Sequence, residues 1–289
     1  MKSFFAGIDL GGTKILTVVA DEKKNIVAKI KIATEAEKGV EHVVENMIKS
    51  LEMCCSEAQI ELAHLEAAGI GVPGPVNFKK GIVYDCPNLK GWKNIKIAEI
   101  FKQKTGIKAV VENDARVAGL AETRCGAAKG YRHVFYVTVS TGIGGALIFD
   151  GKIYRGADGG AGEFGQMKLL DGTIFEQSYA GPAIERKFGV PTSKLSELIK
   201  KNDPGAKAAL KHLTDGLGIY FANVVTLLNP EIVVVGGGVS SLGSLLLEPI
   251  EKKIRKHSFS ISSKNVKIVQ AGLGTDSGAI GAIELLFPL

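Results

Sequence analysis

Phe4-Phe5-Ala6-Gly7-Ile8-Asp9-Leu10-Gly11-Gly12-Thr13-Lys14 opens the chain and runs directly into Ile15-Leu16-Thr17-Val18-Val19-Ala20. An apolar strand ending in an aspartate, a turn on two glycines and a second apolar strand predict a hairpin. Its backbone N–H groups can converge on an anion, because no Cβ blocks the approach. Hairpin formation alone accounts for the glycine pair, since glycine is a usual residue of tight turns. It does not account for Asp9 at the strand end, or for Thr13 and Lys14 directly after the glycines. Asp9 is placed to meet a divalent cation carried on the anion. A second turn of this kind occurs at Val137-Thr138-Val139-Ser140-Thr141-Gly142-Ile143-Gly144-Gly145. Two phosphate-type turns in one chain point to a nucleotide held between two related lobes.

The chain has 289 residues, long for one core and natural for two lobes. Its 45% hydrophobic and 23% charged content predicts a packed globular protein. The net charge of +6 raises the question of nucleic acid, but the 36 basic residues are scattered. The densest cluster, Lys252, Lys253, Arg255 and Lys256, lies on a predicted helix and reads as a solvated face, so no nucleic-acid partner is expected. Mild positive charge instead favours anionic substrates. Cys54, Cys55, Cys86 and Cys125 show no CxxC spacing, and reduced thiols in a cytoplasm are the expectation. No apolar run approaches the length of a membrane span, and the opening strand leaves no room for a signal peptide.

Along the chain, the first two strands and a third over 26–32 predict an antiparallel meander, followed by a helix with Val40, Val43, Val44, Met47, Ile48, Leu51 and Cys55 on one face. Strands over 67–72 and 107–112 follow, then a helix from Asp114. The second half repeats the plan. Strands are predicted over 133–139 and 146–149, with Asp150-Gly151 as a hairpin turn. Helices are predicted over 179–188, 194–200 and 207–228, then a strand over 231–235 ending in Gly236-Gly237-Gly238. A helix over 241–256, a strand over 266–270 and a last helix over 277–287 complete the pattern. The expected class is α/β, a duplicated two-lobed fold with a mixed sheet and helices on both faces in each lobe. The lobes are expected as residues 1–118 and 119–289, with the final helix returning to the first lobe.

Two familiar nucleotide motifs fail. No GxxxxGK[ST] loop exists, and the GxGxxG match at Gly160-Ala161-Gly162-Glu163-Phe164-Gly165 has no apolar strand leading into it. Glu112-Asn113-Asp114-Ala115 falls at a strand-to-helix junction, where Asp114 serves either as a helix cap or as the base that receives a hydroxyl proton in phosphoryl transfer. Glu163 and Glu176 flank a glycine-rich loop, as solvated carboxylates or as acceptors for vicinal sugar hydroxyls. Gly236-Gly237-Gly238 is either a crowded turn or a flat floor for adenosine.

The motifs resemble the ROK family of sugar kinases and sugar-responsive repressors, within the actin-like, hexokinase-like (ribonuclease H-like) ATPase superfamily. The resemblance is carried by Asp9-Leu10-Gly11-Gly12-Thr13-Lys14, Gly71-Val72-Pro73-Gly74-Pro75-Val76, Asn88-Leu89-Lys90-Gly91-Trp92 and Glu112-Asn113-Asp114-Ala115. It continues through Ser140-Thr141-Gly142-Ile143-Gly144-Gly145, Gly162-Glu163-Phe164-Gly165 and Val235-Gly236-Gly237-Gly238-Val239-Ser240, in family order over nearly the whole chain. It implies Asp114 as catalytic base and Asn88, Asn113, Glu163 and Glu176 as sugar contacts. It also implies Gly11, Gly12, Thr13, Lys14, Thr141 and Gly142 as phosphate clamps, Gly237 and Gly238 facing adenosine, and Asp9 holding Mg²⁺ through its water shell.

Two departures matter. Where the family has a histidine and then a zinc-binding cysteine cluster, this chain has Gln166 and a shorter segment without cysteine or histidine over 168–175. The family's zinc ligands are therefore missing and no zinc site is expected, with Gln166 left to hydrogen-bond the sugar. Repressor members carry a helix-turn-helix domain before the first turn; only eight residues precede Asp9, so a kinase is expected. The expected reaction is ATP- and Mg²⁺-dependent phosphorylation of a hexose in the cleft between lobes, with glucose at its 6-hydroxyl as acceptor. An N-acylated hexosamine, fructose, allose or a β-glucoside are the other acceptors, and a non-catalytic sugar-binding regulator is the alternative from another class. A homodimer is an expectation of the family alone.

Overall fold

In the computed structural model, which describes residues 3–86 and 88–287, the opening motif forms the centre of a sheet. Strands β1 (Phe4–Leu10), β2 (Lys14–Asp21) and β3 (Ile26–Ala33) make the antiparallel meander, and helix α1 (Val40–Glu57) follows. Next come β4 (Leu65–Val72), a small sheet of β5 (Val76–Asn77), β6 (Ile82–Asp85) and β7 (Lys93–Ile95), and then α2 (Ile97–Thr105). Strand β8 (Lys108–Asn113) leads straight into α3 (Asp114–Arg124). The large sheet has the order β3-β2-β1-β4-β8, with β4 parallel to both β1 and β8.

The second sheet repeats that plan. Strands β9 (Val134–Val139), β10 (Ile143–Phe149) and β11 (Lys152–Ile153) form its meander. Asp150 and Gly151 both have positive φ, as a two-residue hairpin turn requires. The helices α4 (Phe175–Tyr179), α5 (Gly181–Phe188), α6 (Leu195–Lys200) and α7 (Pro204–Leu228) precede β12 (Ile232–Gly236). Helices α8 (Ser244–His257) and α9 (Ser260–Ser263) then lead to β13 (Lys267–Gln270). The strand order β11-β10-β9-β12-β13, with β12 parallel to β9 and β13, is the topology of the first sheet again. The duplication read from the pattern is therefore present in the topology.

The last helix, α10 (Ser277–Glu284), belongs with the first sheet. Unit 1 comprises the described residues of Met1–Arg124, Arg155–Ala161 and Thr275–Leu289, and unit 2 comprises Cys125–Tyr154 and Gly162–Gly274. Within unit 1 the period-2 alternation of β2 divides cleanly. Ile15 and Val19 join the core beneath α1, whereas Leu16, Val18 and Ala20 join Ala279 and Ile283 of α10. A strand covered on both faces reads as one apolar run, which is why Lys14–Asp21 lacks polar alternation. The thiols of Cys54, Cys55 and Cys86 are buried in unit 1, and burial pushes each up to about 11.

Unit 2 is held by α7, whose buried Leu213, Leu217, Phe221 and Val225 recur at the helical period. Asp203 caps its start, accepting from Ala206 N at 2.7 Å, and Asn229 ends it in the left-handed conformation. Phe164 packs against Phe135, Phe175 and Phe221 to form an aromatic centre. Three sequence expectations differ from the structure. The helix expected over 179–188 is α5, which starts at Gly181 after extended Ala180 with Pro182 in its first turn, and the short α4 before it was not expected. The helix expected from residue 241 starts at Ser244, because Gly243 interrupts it with a φ of 55°. Helix α2 was not expected; its buried face is only Ile97 and Phe101, too few to declare a period.

Helix α10 approaches the sheet at backbone distance. Gly7 and Gly69 are paired neighbours on β1 and β4. A Cβ on Gly7 would stand 2.2 Å from Ala279 O, and one on Gly69 1.8 Å from Ala282 O. Gly69→Ala is therefore expected to destabilise the protein by about 3 kcal/mol through overpacking, read by urea denaturation. Gly160→Ala, an exposed position with nothing within 4 Å of the added methyl, should stay within about 0.5 kcal/mol of wild type. Equal midpoints for the two variants would show that α10 does not dock as described.

Candidate active site

In unit 1 the first glycine turn is held from behind. Gly11 N donates to Lys14 O at 2.9 Å, Thr34 Oγ1 donates to Gly11 O at 2.7 Å, and Thr34 N donates to Thr13 O at 2.9 Å. Among the described residues, no protein acceptor takes the N–H of Gly12 or of Thr13. Gly12 also packs against Asn88, whose Cβ lies 3.2 Å from where a Cβ on Gly12 would be. The structure thus brings exposed Asn88 to the turn that also carries Thr13 and Lys14.

Asp9, the penultimate residue of β1, pairs with Gly71 of β4. The point where a Cβ on Gly71 would stand is 2.9 Å from Val117 Cγ2 and 3.8 Å from both Asp9 Oδ1 and Asp114 Cα, so the absence of a side chain at Gly71 brings the two aspartates near one another. Gly278, in the first turn of α10, comes so close that a Cβ there would lie 2.4 Å from Asp9 Cγ. Burial, and then the charge of Asp114, push the Asp9 carboxyl up to about 7, against a lowering by Lys31. Asp9 keeps partial solvent contact, yet the packed atoms of Gly278 and Gly71 crowd its carboxyl group.

The helix cap that Asp114 might have supplied comes from its neighbour. Asn113 Oδ1 accepts from Arg116 N at 3.1 Å, the N-cap bond of α3, and Asn113 Nδ2 donates to Gly74 O at 3.2 Å. Asp114 Oδ1 accepts from Ala115 N at 2.7 Å, which fixes its rotamer at the helix start. Behind this junction is a feature that the sequence reading missed. The fully buried Glu112 accepts from Arg155 Nε at 2.6 Å, from its own neighbour Asn113 N at 2.9 Å and from Arg116 Nη1 at 3.3 Å. Arg116 also donates through Nη2 to Gly159 O at 2.5 Å and Ala161 O at 2.9 Å. Arg155 lies 43 positions from Glu112, so no local spacing reveals the pair.

In unit 2 the second glycine turn closes through Ser140 N donating to Gly142 O at 2.8 Å. Among the described residues, no protein acceptor takes the N–H of Thr141 or Gly142. Glu176 Oε2 accepts from Ile143 N at 2.6 Å, and a Cβ on Gly142 would stand 2.7 Å from that oxygen. Glu176 therefore braces the turn. Gly237, with a φ of 79°, nests against Val139 O, and the Gly238 backbone faces Ser140 Oγ at 3.8 Å from the built Cβ position. The glycine run after β12 and the turn after β9 thus meet in one place.

Glu163 and Gln166 flank a short 3-10 turn, Phe164–Gln166, whose Phe164 ring faces the core while both polar residues are exposed. The segment that follows closes on itself. Leu169 N donates to Thr173 O at 2.8 Å, and Asp171 Oδ1 accepts from Thr173 N at 2.9 Å. Among the described residues, no group of three or more His, Cys, Asp or Glu side chains is placed to hold a metal ion. No helix among them is long and apolar enough to cross a membrane.

Two sheets of identical strand order, each with a glycine turn after its central strand, define the actin-like ATPase class. The chain belongs to the ROK family, whose profile matches residues 5–287. It is 30% identical to a glucokinase of Streptomyces coelicolor, the alignment covering 96% of each chain. The crystal structure of a ROK hexokinase from Thermus thermophilus is 34% identical, with a TM-score of 0.82 over 98% of this chain and 97% of that one. A ROK family glucokinase from Streptomyces griseus, crystallised with glucose and AMPPNP, is 30% identical with a TM-score of 0.83 over 98% and 99% of the chains.

The raised Asp9 carboxyl has a consequence for stability. Between about pH 4 and pH 7 the folded chain keeps a proton that the unfolded chain has released, so this group's contribution to stability falls as pH rises through that window. Asp9→Asn should be more stable than wild type at pH 8 by about 1–2 kcal/mol, discounted for its solvent contact, and equal to it below pH 4. Urea midpoints at the two pH values measure this. No gain at pH 8 would show the carboxylate to be at ease where it sits.

Proposed function

We propose that this protein is a hexose kinase that transfers the γ-phosphoryl group of ATP to a sugar hydroxyl, with glucose converted to glucose 6-phosphate. The observation that carries this reading is the pair Asp9 and Asp114 on either side of Gly71, beside a turn with two N–H groups left for a ligand. Asp114 is the base. Ala115 N fixes its rotamer and Asn113 takes the capping duty; in this reading Asp114 orients an acceptor hydroxyl and receives its proton. In a loose transition state such orientation matters more than base strength.

Asn88, Asn113, Glu163, Gln166 and Glu176 are the proposed sugar contacts. Glu176 serves with Oε1, since Oε2 already holds Ile143 N. Gly11, Gly12, Thr13 and Lys14 in unit 1, and Thr141 and Gly142 in unit 2, are the proposed phosphate donors, with Gly237 and Gly238 beneath the adenosine. Mg²⁺ fits this donor set, because it is bound by one or two carboxylates together with substrate phosphates rather than by a protein cage. Asp9, aided by the neighbouring Asp114, is the group to hold it through water, and bound Mg²⁺ neutralises phosphate charge. The buried free cysteines Cys54, Cys55 and Cys86 support a cytoplasmic setting.

Asp114→Ala is expected to lower kcat by about 10²–10⁴-fold while calorimetric binding of AMPPNP persists. A coupled ADP-release assay with glucose, fructose, allose, N-acetylated hexosamines and a β-glucoside measures both the loss and the acceptor. Near-wild-type turnover in the variant would remove Asp114 from the mechanism. Sugar binding by the wild type without ADP release from any acceptor would favour a regulator.

A further inference from the structure

Unit 2 contains a cavity of 390 Å³ lined by Gln177, Ser178, Ala183, Arg186, Lys187 and His212. No carboxylate lines it. Arg186 has no hydrogen-bond or ion-pair partner among the described residues, and Lys187 makes only a ring contact, with Nζ 5.6 Å from the Phe188 centroid. The carbonyl dipole at the end of α5 attracts cations, but it amounts to about half an elementary charge. Two full positive charges on one wall therefore exceed what the helix end neutralises.

The third basic group is held rigidly. The His212 ring stacks on Tyr179 with centroids 4.8 Å apart and planes at 22°, and His212 Nε2 lies 3.3 Å from Ser178 O. Tyr179 in turn sits on the bare backbone of Gly216, where a Cβ would meet its ring carbons. Asp215, the nearby acid on α7, is committed to Lys211 at 2.6 Å and Lys253 at 2.8 Å. Burial, and then the charge of Lys187, hold the His212 imidazole below its ordinary value, against raising by the Ser178 carbonyl and by Asp215.

We propose that this cavity is a second anion site that binds the phosphate group of a small phosphorylated molecule. Arg186 supplies a planar pair of donors, Lys187 a point charge, and Gln177 and Ser178 neutral donors. The cavity is connected to the second glycine turn by the same two short helices. Glu176 of α4 holds Ile143 N, and its sequence neighbours Gln177 and Ser178 line the cavity. Gly181, which begins α5, donates from N to Ser140 O at 2.8 Å, and Arg186 and Lys187 lie at the other end of that helix. Phosphate binding in the cavity thereby tightens the turn proposed above to hold the nucleotide. This consequence rests on the kinase reading; the site itself does not.

The test is titration calorimetry of the full chain with inorganic pyrophosphate, glucose 6-phosphate and ADP as separate probes. The Arg186→Ala/Lys187→Ala double variant is expected to lose about tenfold or more in affinity for at least one probe, as expected for lost charge-assisted hydrogen bonds. The probe with the greatest loss identifies the source of the phosphate. Arg186→Gln, which keeps a polar side chain with an N–H donor group but removes the charge, should show an intermediate loss and covers the case of a double variant that fails to fold. The His212 ring resonance should report a higher pKa in wild type with saturating pyrophosphate, and no change in the double variant. A failed kinase reading would leave these binding results standing. Equal affinity of wild type and both folded variants for every probe, or no binding by wild type at millimolar concentrations, would overturn the site.

Discussion

Unit 1 depends on how closely α10 lies against its sheet. Gly7 and Gly69 remove two side chains from adjacent strands at one level, and Ala279 and Ala282 fill the space with backbone. Packing of this kind is short-ranged and intolerant, because dispersion falls steeply with separation and a single methyl has nowhere to go. It sets the position of everything at the helix start. Gly278 comes against the Asp9 carboxyl group because the rest of α10 is already seated. Helix α10 thus defines the environment of an aspartate near the beginning of the chain.

The duplicated topology carries different chemistry in its two copies. In unit 1 the next-to-last residue of the central strand, Asp9, stands opposite Gly71; in unit 2 its counterpart Thr138 stands opposite Gly236. Each sheet places a polar residue at the same register beside a glycine, and each follows it with a turn that leaves two N–H groups for a ligand. Only unit 1 has the carboxylate there, and only unit 1 has a second acid, Asp114, approaching across the glycine. Unit 2 instead brings the glycine run after β12 to the turn after β9. The same backbone plan thus presents two acids in one unit and a side-chain-free surface in the other.

Behind Asp114 stands the buried group of Glu112, Arg116 and Arg155. A buried carboxylate is tolerated only when its oxygens are satisfied, and Glu112 uses both on two guanidinium groups and a backbone N–H. The arrangement fixes the last residue pair of β8 and, through Arg116, the carbonyls of Gly159 and Ala161. Removing one partner would leave an uncompensated charge at the strand-to-helix junction. Its geometric effect would reach Asn113 and Asp114 first.

What the chain's letters determined by themselves was local and periodic. Glycine pairs after apolar strands marked both turns, alternation and helical spacing marked the meanders and the long helices, and Asp9 and Asp114 stood out at strand ends. These readings need only neighbours within a few residues, where steric and period rules act. Tertiary structure decided the rest. It set Asn113 rather than Asp114 as the helix cap, used Glu176 Oε2 to brace the second turn, and joined Glu112 to Arg155. It also gathered Arg186, Lys187 and His212 around one cavity. Each of these depends on atoms from segments distant in the chain, and proximity of that kind has no signature in spacing because it is produced by the packing of whole elements.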